Sequence, residues 1–208
     1  MPQPVEAIIF DVGNVLYQWD IRELYGKLID DPAELDHFLS EILTLSWHDQ
    51  HDAGRPIADI IDELAAAHPR HDALIRLYEP RWLETIPGPV PGMIDLVERL
   101  ALRGLPLFGI TNFGDDLWRK FRPTAPVFDL FQDIVVSGVE KLTKPDPAIY
   151  RLAIDRFGID PARALFIDDR PANIDGARSC GLQGHVFRDA PTLQADLAER
   201  GVIDFVTT

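Results

Sequence analysis

Only one cysteine, Cys180, occurs among the 208 residues, so no internal disulfide can form and no zinc-type ligand spacing exists. Beside Ala177 and Gly181 it reads as a small apolar residue at a packed helix end, without the electropositive setting of a reactive thiol. Positive charge is also scarce. Lys and Arg number 20 against 34 Asp and Glu, a formal net charge of -14 and a pI of about 4.7. No basic cluster offsets that field, which argues against nucleic acid or an anionic membrane as partner. No apolar run approaches the length of a membrane span, and Met1-Pro2-Gln3-Pro4 has no basic start of the signal-peptide kind, so a cytoplasmic location is expected. Internal repeats and low-complexity tracts are missing too. What is present is an ordinary globular composition, 46% apolar and 26% charged, on a chain long enough to bury a large core.

Short apolar, partly β-branched runs over 5–10, 105–110, 133–136 and 164–167 read as buried strands, and each ends in a polar or Gly-containing loop. Helical patterns over 93–103, 146–157 and 171–180 lie between or after them, each closed by or near a glycine. Strands alternating with helices of this length predict an α/β fold: a Rossmann-like parallel sheet with helices on both faces. In such sheets ligands bind beyond the carboxyl ends of the strands. Asp11, Thr111, Asn112, Lys144, Asp168 and Asp169 all stand at or near such ends, and so can meet in one cleft although they span most of the sequence. Residues 16–86 differ, with helical periodicity throughout; helices are predicted over 21–29, 32–45, 57–67 and 73–83. This organisation gives an α/β core of 1–15 and 87–208 with a small all-helical insertion, 16–86. Pro87-Gly88-Pro89-Val90-Pro91-Gly92 marks a stiff re-entry.

A strand ending in Asp11-Val12-Gly13-Asn14-Val15, a second ending in Thr111-Asn112, a Lys144-Pro145-Asp146-Pro147 turn opening a helix and a third strand ending in Asp168-Asp169 resemble, in order, the four motifs of the haloacid dehalogenase-like hydrolases. The helical insertion matches the place and size of that family's cap. The resemblance implies a phosphatase in which Asp11 attacks phosphorus and splits hydrolysis into two easier displacements. It implies Mg2+ on hard oxygen ligands, from Asp11, the Gly13 carbonyl and Asp169, with Asp168 ligating or orienting a bound water. Thr111, Asn112 and Lys144 would hold the equatorial phosphoryl oxygens whose charge must be stabilised. Asn173 and Asp175, in the first turns of the next helix, read as favouring its dipole.

One position departs from the pattern. Typical phosphatases of the family carry a second aspartate two residues after the nucleophile, which protonates the leaving oxygen; here Gly13 stands there. The missing acid is worth about 10² to 10⁴ in rate. The resemblance is therefore to the branch with an Asp-x-Gly-Asn first motif, which includes sugar-phosphate phosphatases. Trp47-His48-Asp49-Gln50-His51-Asp52, at the end of a predicted helix, offers histidines that titrate near neutrality. Either this is a polar helix end in water, or His48 or His51 faces the cleft and meets substrate. The leading expectation is a small phosphorylated metabolite as substrate, with a sugar phosphate among the candidates, and a monomer or homodimer. A metal-independent 2-haloacid dehalogenase using Asp11 and a non-catalytic binding protein are the alternatives. Dehalogenases also lack the second aspartate, but do not need the Asp168-Asp169 pair.

Overall fold

The computed structural model describes residues 3–204. Five parallel strands, β1 (Ala7–Phe10), β2 (Leu107–Thr111), β3 (Asp133–Val136), β4 (Ala164–Asp168) and β5 (Gln183–Val186), form one sheet in the order β3-β2-β1-β4-β5. β1 lies at its centre, with Ile9 in register with Phe108 on one side and Phe166 on the other. Alternate side chains of a strand point to opposite faces, and the two cores divide accordingly. Ile8 and Phe10 join the larger one, with Leu96, Leu193 and the apolar face of the helical segment. Ala7 and Ile9 join the second, under helices Pro147–Phe157 and Pro171–Ser179.

The expected α/β fold is present, with its first four strands where the apolar runs lie. β5 has no such run. Gln183-Gly184-His185-Val186 is a half-buried edge strand, and one buried side gives a weak hydrophobic signal. Cys180 follows the helix Pro171–Ser179 and is half-buried.

From Arg22 to Thr85 every regular element is helical. The predicted helix 32–45 is broken: Pro32–His37 runs into a π-turn, Phe38–Ile42, and Leu43 leaves helical geometry. Thr44 then caps a new helix, Leu45–Asp52, its hydroxyl accepting from the Trp47 N–H at 3.1 Å. A threonine between apolar residues is a start signal, which the periodicity alone conceals. The stretches leaving and re-entering the sheet zip together: the Gln18 N–H donates to the Gly88 carbonyl and the Val90 N–H to the Leu16 carbonyl, both at 2.9 Å. Among the described residues no helix is long and apolar enough to cross a membrane.

The helix Leu45–Asp52 sits directly on the sheet's C-terminal loops. Ser137 Oγ, just after β3, donates to the Asp52 carbonyl at 2.6 Å. A Cβ placed on Gly114, just after β2, would lie 1.9 Å from Nε2 of the buried His51. Glycine is required there by close approach. Gly114→Ala is therefore expected to destabilise the protein by about 1–3 kcal/mol, the usual range for overpacking, measurable by thermal or urea unfolding.

Candidate active site

The sequence at the end of β1 builds the floor of a cleft. Asp11 follows the buried strand, and its Oδ1 accepts from the Val12 N–H at 2.7 Å. Asn14 adopts a left-handed conformation, φ 57°, which asparagine tolerates better than most residues. Its Oδ1 accepts from the Trp19 N–H at 3.0 Å. The turn thereby folds Tyr17 and Trp19 back over the cleft, which gives the asparagine of this motif a structural task of its own.

Lys144, almost fully buried, joins two carboxylates: Nζ lies 2.8 Å from Asp11 Oδ1 and 2.7 Å from Asp168 Oδ2. Its backbone is held by Asn112, whose Nδ2 donates to the Lys144 carbonyl at 3.0 Å while Oδ1 accepts the Lys144 N–H at 2.8 Å. The Asn112 side chain is thus engaged in positioning the lysine, at a residue that also lines the cleft. Asp168 is saturated as well: besides Lys144 it accepts from the Arg170 N–H at 2.8 Å and from Asn173 Nδ2 at 2.9 and 3.0 Å. Asn173, read from sequence as a helix-dipole residue, is buried in the site; Asp175 has no place in it. Thr111 is buried at the end of β2 but does not line the cleft, whereas Asn112 and Phe113 do.

Electrostatics follow from burial. Desolvation pushes the Asp11 carboxyl up to about 7; Lys144 pulls it down and Asp168 pushes it further up. The two carboxylates in turn hold the Lys144 ammonium above its ordinary range despite its burial. Asp169, half-buried at the cleft, is raised by desolvation and by Asp168.

The opposite wall is helical. His48 and Asp52 line the cleft with Asp11 and Lys144; His51 does not, and points instead at Gly114, with Nδ1 2.8 Å from the Arg55 carbonyl. His48 stacks on Trp19, ring centroids 5.1 Å apart, and its Nδ1 is 2.8 Å from the Tyr78 hydroxyl. Burial, with His51 nearby, pushes His48 down to about 4, so the ring is neutral at physiological pH. The picture of Trp47 to Asp52 as a polar end facing water does not hold: four of the six residues are buried. The cleft encloses about 460 Å³, and part of its lining is aromatic, with Tyr17, Trp19, Trp82, Phe113 and Phe121.

A family model described as haloacid dehalogenase-like hydrolase matches residues 5–181. The chain belongs to that family. Among its relatives, the hydrolase is 24% identical over 196 residues to a sesquiterpene phosphatase, astK, of Aspergillus oryzae, covering 89% of this chain and 91% of that one. It is 27% identical over 171 residues to the glyceraldehyde 3-phosphate phosphatase of Pyrococcus furiosus, 73% of this chain and 70% of that one. Its fold matches that of a HAD family enzyme, bt-2542, of Bacteroides thetaiotaomicron, solved with magnesium and inorganic phosphate. The TM-score is 0.67 at 23% identity, over 89% and 96% of the two chains.

The hydrolase presents donors suited to magnesium. One carboxylate oxygen each from Asp11, Asp168 and Asp169 lies within 4.8 Å of the others. With Asp168 occupied by Lys144 and Asn173, Asp11 and Asp169 are the carboxylates left to ligate, beside the Gly13 carbonyl in the same cleft. One or two carboxylates on an otherwise hydrated ion is the usual arrangement for Mg2+.

Proposed function

We propose that this hydrolase is a magnesium-dependent phosphatase for small phosphorylated metabolites, working through an aspartyl-phosphate on Asp11. The observation that carries this reading is the buried Asp11–Lys144–Asp168 cluster with Asp169 beside it at the strand ends. Asp11 Oδ1 holds the Val12 amide and Lys144, so Oδ2 is the attacking atom. Lys144 stabilises negative charge developing on the phosphoryl oxygens, and Asn112 keeps the lysine aimed. The Asn112 backbone, which lines the cleft, flanks the same oxygens. Asp168 fixes Lys144 from behind, and Asn173 fixes Asp168. Mg2+, held by Asp11, Asp169 and the Gly13 carbonyl, would screen the repulsion between the carboxylate and the phosphoryl group.

The test is hydrolysis of an aryl phosphate with magnesium and with EDTA, run beside chloride release from 2-chloropropionate. Metal-dependent phosphate release without chloride is the expected result. No phosphate release at any magnesium concentration would sink the reading.

The relatives named as phosphatases of a sesquiterpene and of glyceraldehyde 3-phosphate support a small substrate. The aromatic lining supports an apolar or aromatic organic portion over a bare three-carbon sugar. Burying about 80 Å² of apolar surface is worth about 2 kcal/mol. 1-Naphthyl phosphate is therefore expected to show a kcat/KM roughly 30-fold above that of glycerol phosphate, an advantage that Trp19→Ala should reduce. Equal kcat/KM values would remove the apolar preference.

A further inference from the structure

The sequence leaves the phosphatase chemistry without a proton donor for the leaving oxygen. The structure shows that the gap is physical as well: a Cβ placed on Gly13 would have nothing within 4 Å, so the position is open to the cleft and no side chain has moved into it. Resting on the phosphatase reading, we propose that the Asp52 carboxyl, reaching the same cleft from the helical wall, delivers the leaving-group proton that Gly13 cannot.

Asp52 and Asp11 line one cavity. Asp52 is largely buried, and its Oδ1 has no hydrogen-bond partner among the described residues. A buried carboxyl oxygen left unpaired is costly, and a ligand oxygen in the cleft would give Oδ1 a partner. Its position is held from both sides. Its own carbonyl accepts from Ser137 Oγ, and His51, one residue earlier, seats against Gly114.

The groups facing Asp52 suit a donor. Burial dominates and raises the carboxyl to about 7. Asp49 on the same helix pushes it higher, while His51, the Gly114 amide and Lys144 across the cleft pull it lower. An acid with that value is half protonated at neutral pH, where proton transfer is most effective. His48 Nε2 lies 3.7 Å from Asp52 Oδ1. Tyr78, raised well above the usual phenol range by burial, keeps its proton, and its hydroxyl is hydrogen-bonded to His48 Nδ1. In the tautomer in which the hydroxyl donates to Nδ1, the neutral ring carries its proton on Nε2, on the side of Asp52. His48 is thus a positioning residue that steadies the Asp52 anion once its proton has gone.

The steps balance. As Asp11 bonds to phosphorus, the bond from phosphorus to the ester oxygen breaks, its electron pair stays on that oxygen, and the Asp52 proton joins it to give the alcohol. Asp52 then takes a proton from water as the water oxygen bonds to phosphorus and the bond from phosphorus to the Asp11 oxygen breaks, its electron pair returning to the carboxylate. Inorganic phosphate leaves, and both carboxyl groups are restored.

The experiment compares kcat/KM for wild type and Asp52→Asn on phosphate monoesters running from nitrophenyl phosphate, whose leaving group needs no proton, to simple alkyl phosphates. The expected loss grows with leaving-group pKa, from below about tenfold on the nitrophenyl ester to about 10² to 10⁴ on the alkyl esters. For wild type, kcat/KM on alkyl esters should fall as pH rises through about 7, a limb that the nitrophenyl ester does not show. A loss equal across the series, or intact alkyl turnover, overturns the proposal. Should Asp52→Asn fail to fold, the wild-type pH comparison decides, and a missing alkyl-specific limb overturns it. Failure of Asp52 alone leaves metal-dependent wild-type turnover in place. Wild type inactive on every ester overturns this proposal together with the phosphatase reading.

Discussion

Replacing Asp11 by asparagine is expected to lower kcat on an aryl phosphate by at least about 10⁴ and, in the same protein, to raise the melting temperature. The first effect is loss of the nucleophile. The second follows from the charge count of the buried cluster, in which one ammonium faces two carboxylates. The substitution would leave Lys144 and Asp168 as a one-to-one pair. The folded Asp11 is raised from 3.8 to about 7; a raised acid contributes its full stability below the unfolded value and loses it as pH rises through the folded one. The gain from Asp11→Asn, measured in EDTA, should therefore be small at pH 4 and larger at pH 8. A gain of about 1 kcal/mol corresponds to about 2–4 °C for a chain of this length. A stability loss that grows with pH would contradict this account of the cluster.

Lys144→Ala should do the reverse. Removing the shared ammonium leaves two buried carboxylates side by side, and breaking a buried ion pair from one side costs about 3–5 kcal/mol, or roughly 6–20 °C for a chain of this size. Catalysis should fall with it, since the same group stabilises the transferring phosphoryl oxygens. Lys144→Arg is not expected to rescue either property: the side chain is 1% exposed, and a planar fork needs more room than a single ammonium. A variant as stable as wild type would show that the two carboxylates share a proton and do not depend on the lysine. Added magnesium should return part of the lost stability, because it binds the same folded carboxylates.

What the sequence disclosed followed the physics of each element. β1 to β4 were legible because they are buried on both faces and so appear as unbroken apolar runs, and the order of the polar groups that end them pointed to one cleft. β5 was not, because an edge strand built of Gln183, Gly184, His185 and Val186 carries no such run. In the site, residue types were visible but their partners were not. Asn112 and Asp168 read as contacts for substrate and metal, and the sequence could not show that they also grip Lys144. Asn173 passed for a helix-dipole residue because its bond to Asp168 depends on the turn between them. Asp52 was hidden for a different reason. Its burial arises from the contacts of Gly114 and Ser137 with the helix above them, and no local pattern reports contacts between segments some 60 to 85 residues apart. Thr44 could have been found, since a threonine just before the polar stretch is a capping residue and would have separated two helices within 32–45.

The seating of the helix Leu45–Asp52 also bears on how molecules enter and leave. Its inner end is locked to the sheet by the Ser137 bond and by His51 against a glycine too small to push it away, while its outer end presents Leu45 to solvent at the mouth. A wall anchored at its base cannot swing wide without breaking those contacts, so traffic would pass through a fixed doorway framed by side chains. The dimensions of that doorway, and not the reach of a hinge, would then decide which phosphate esters are admitted, and a phosphate carried on a bulky folded surface would be stopped at the threshold.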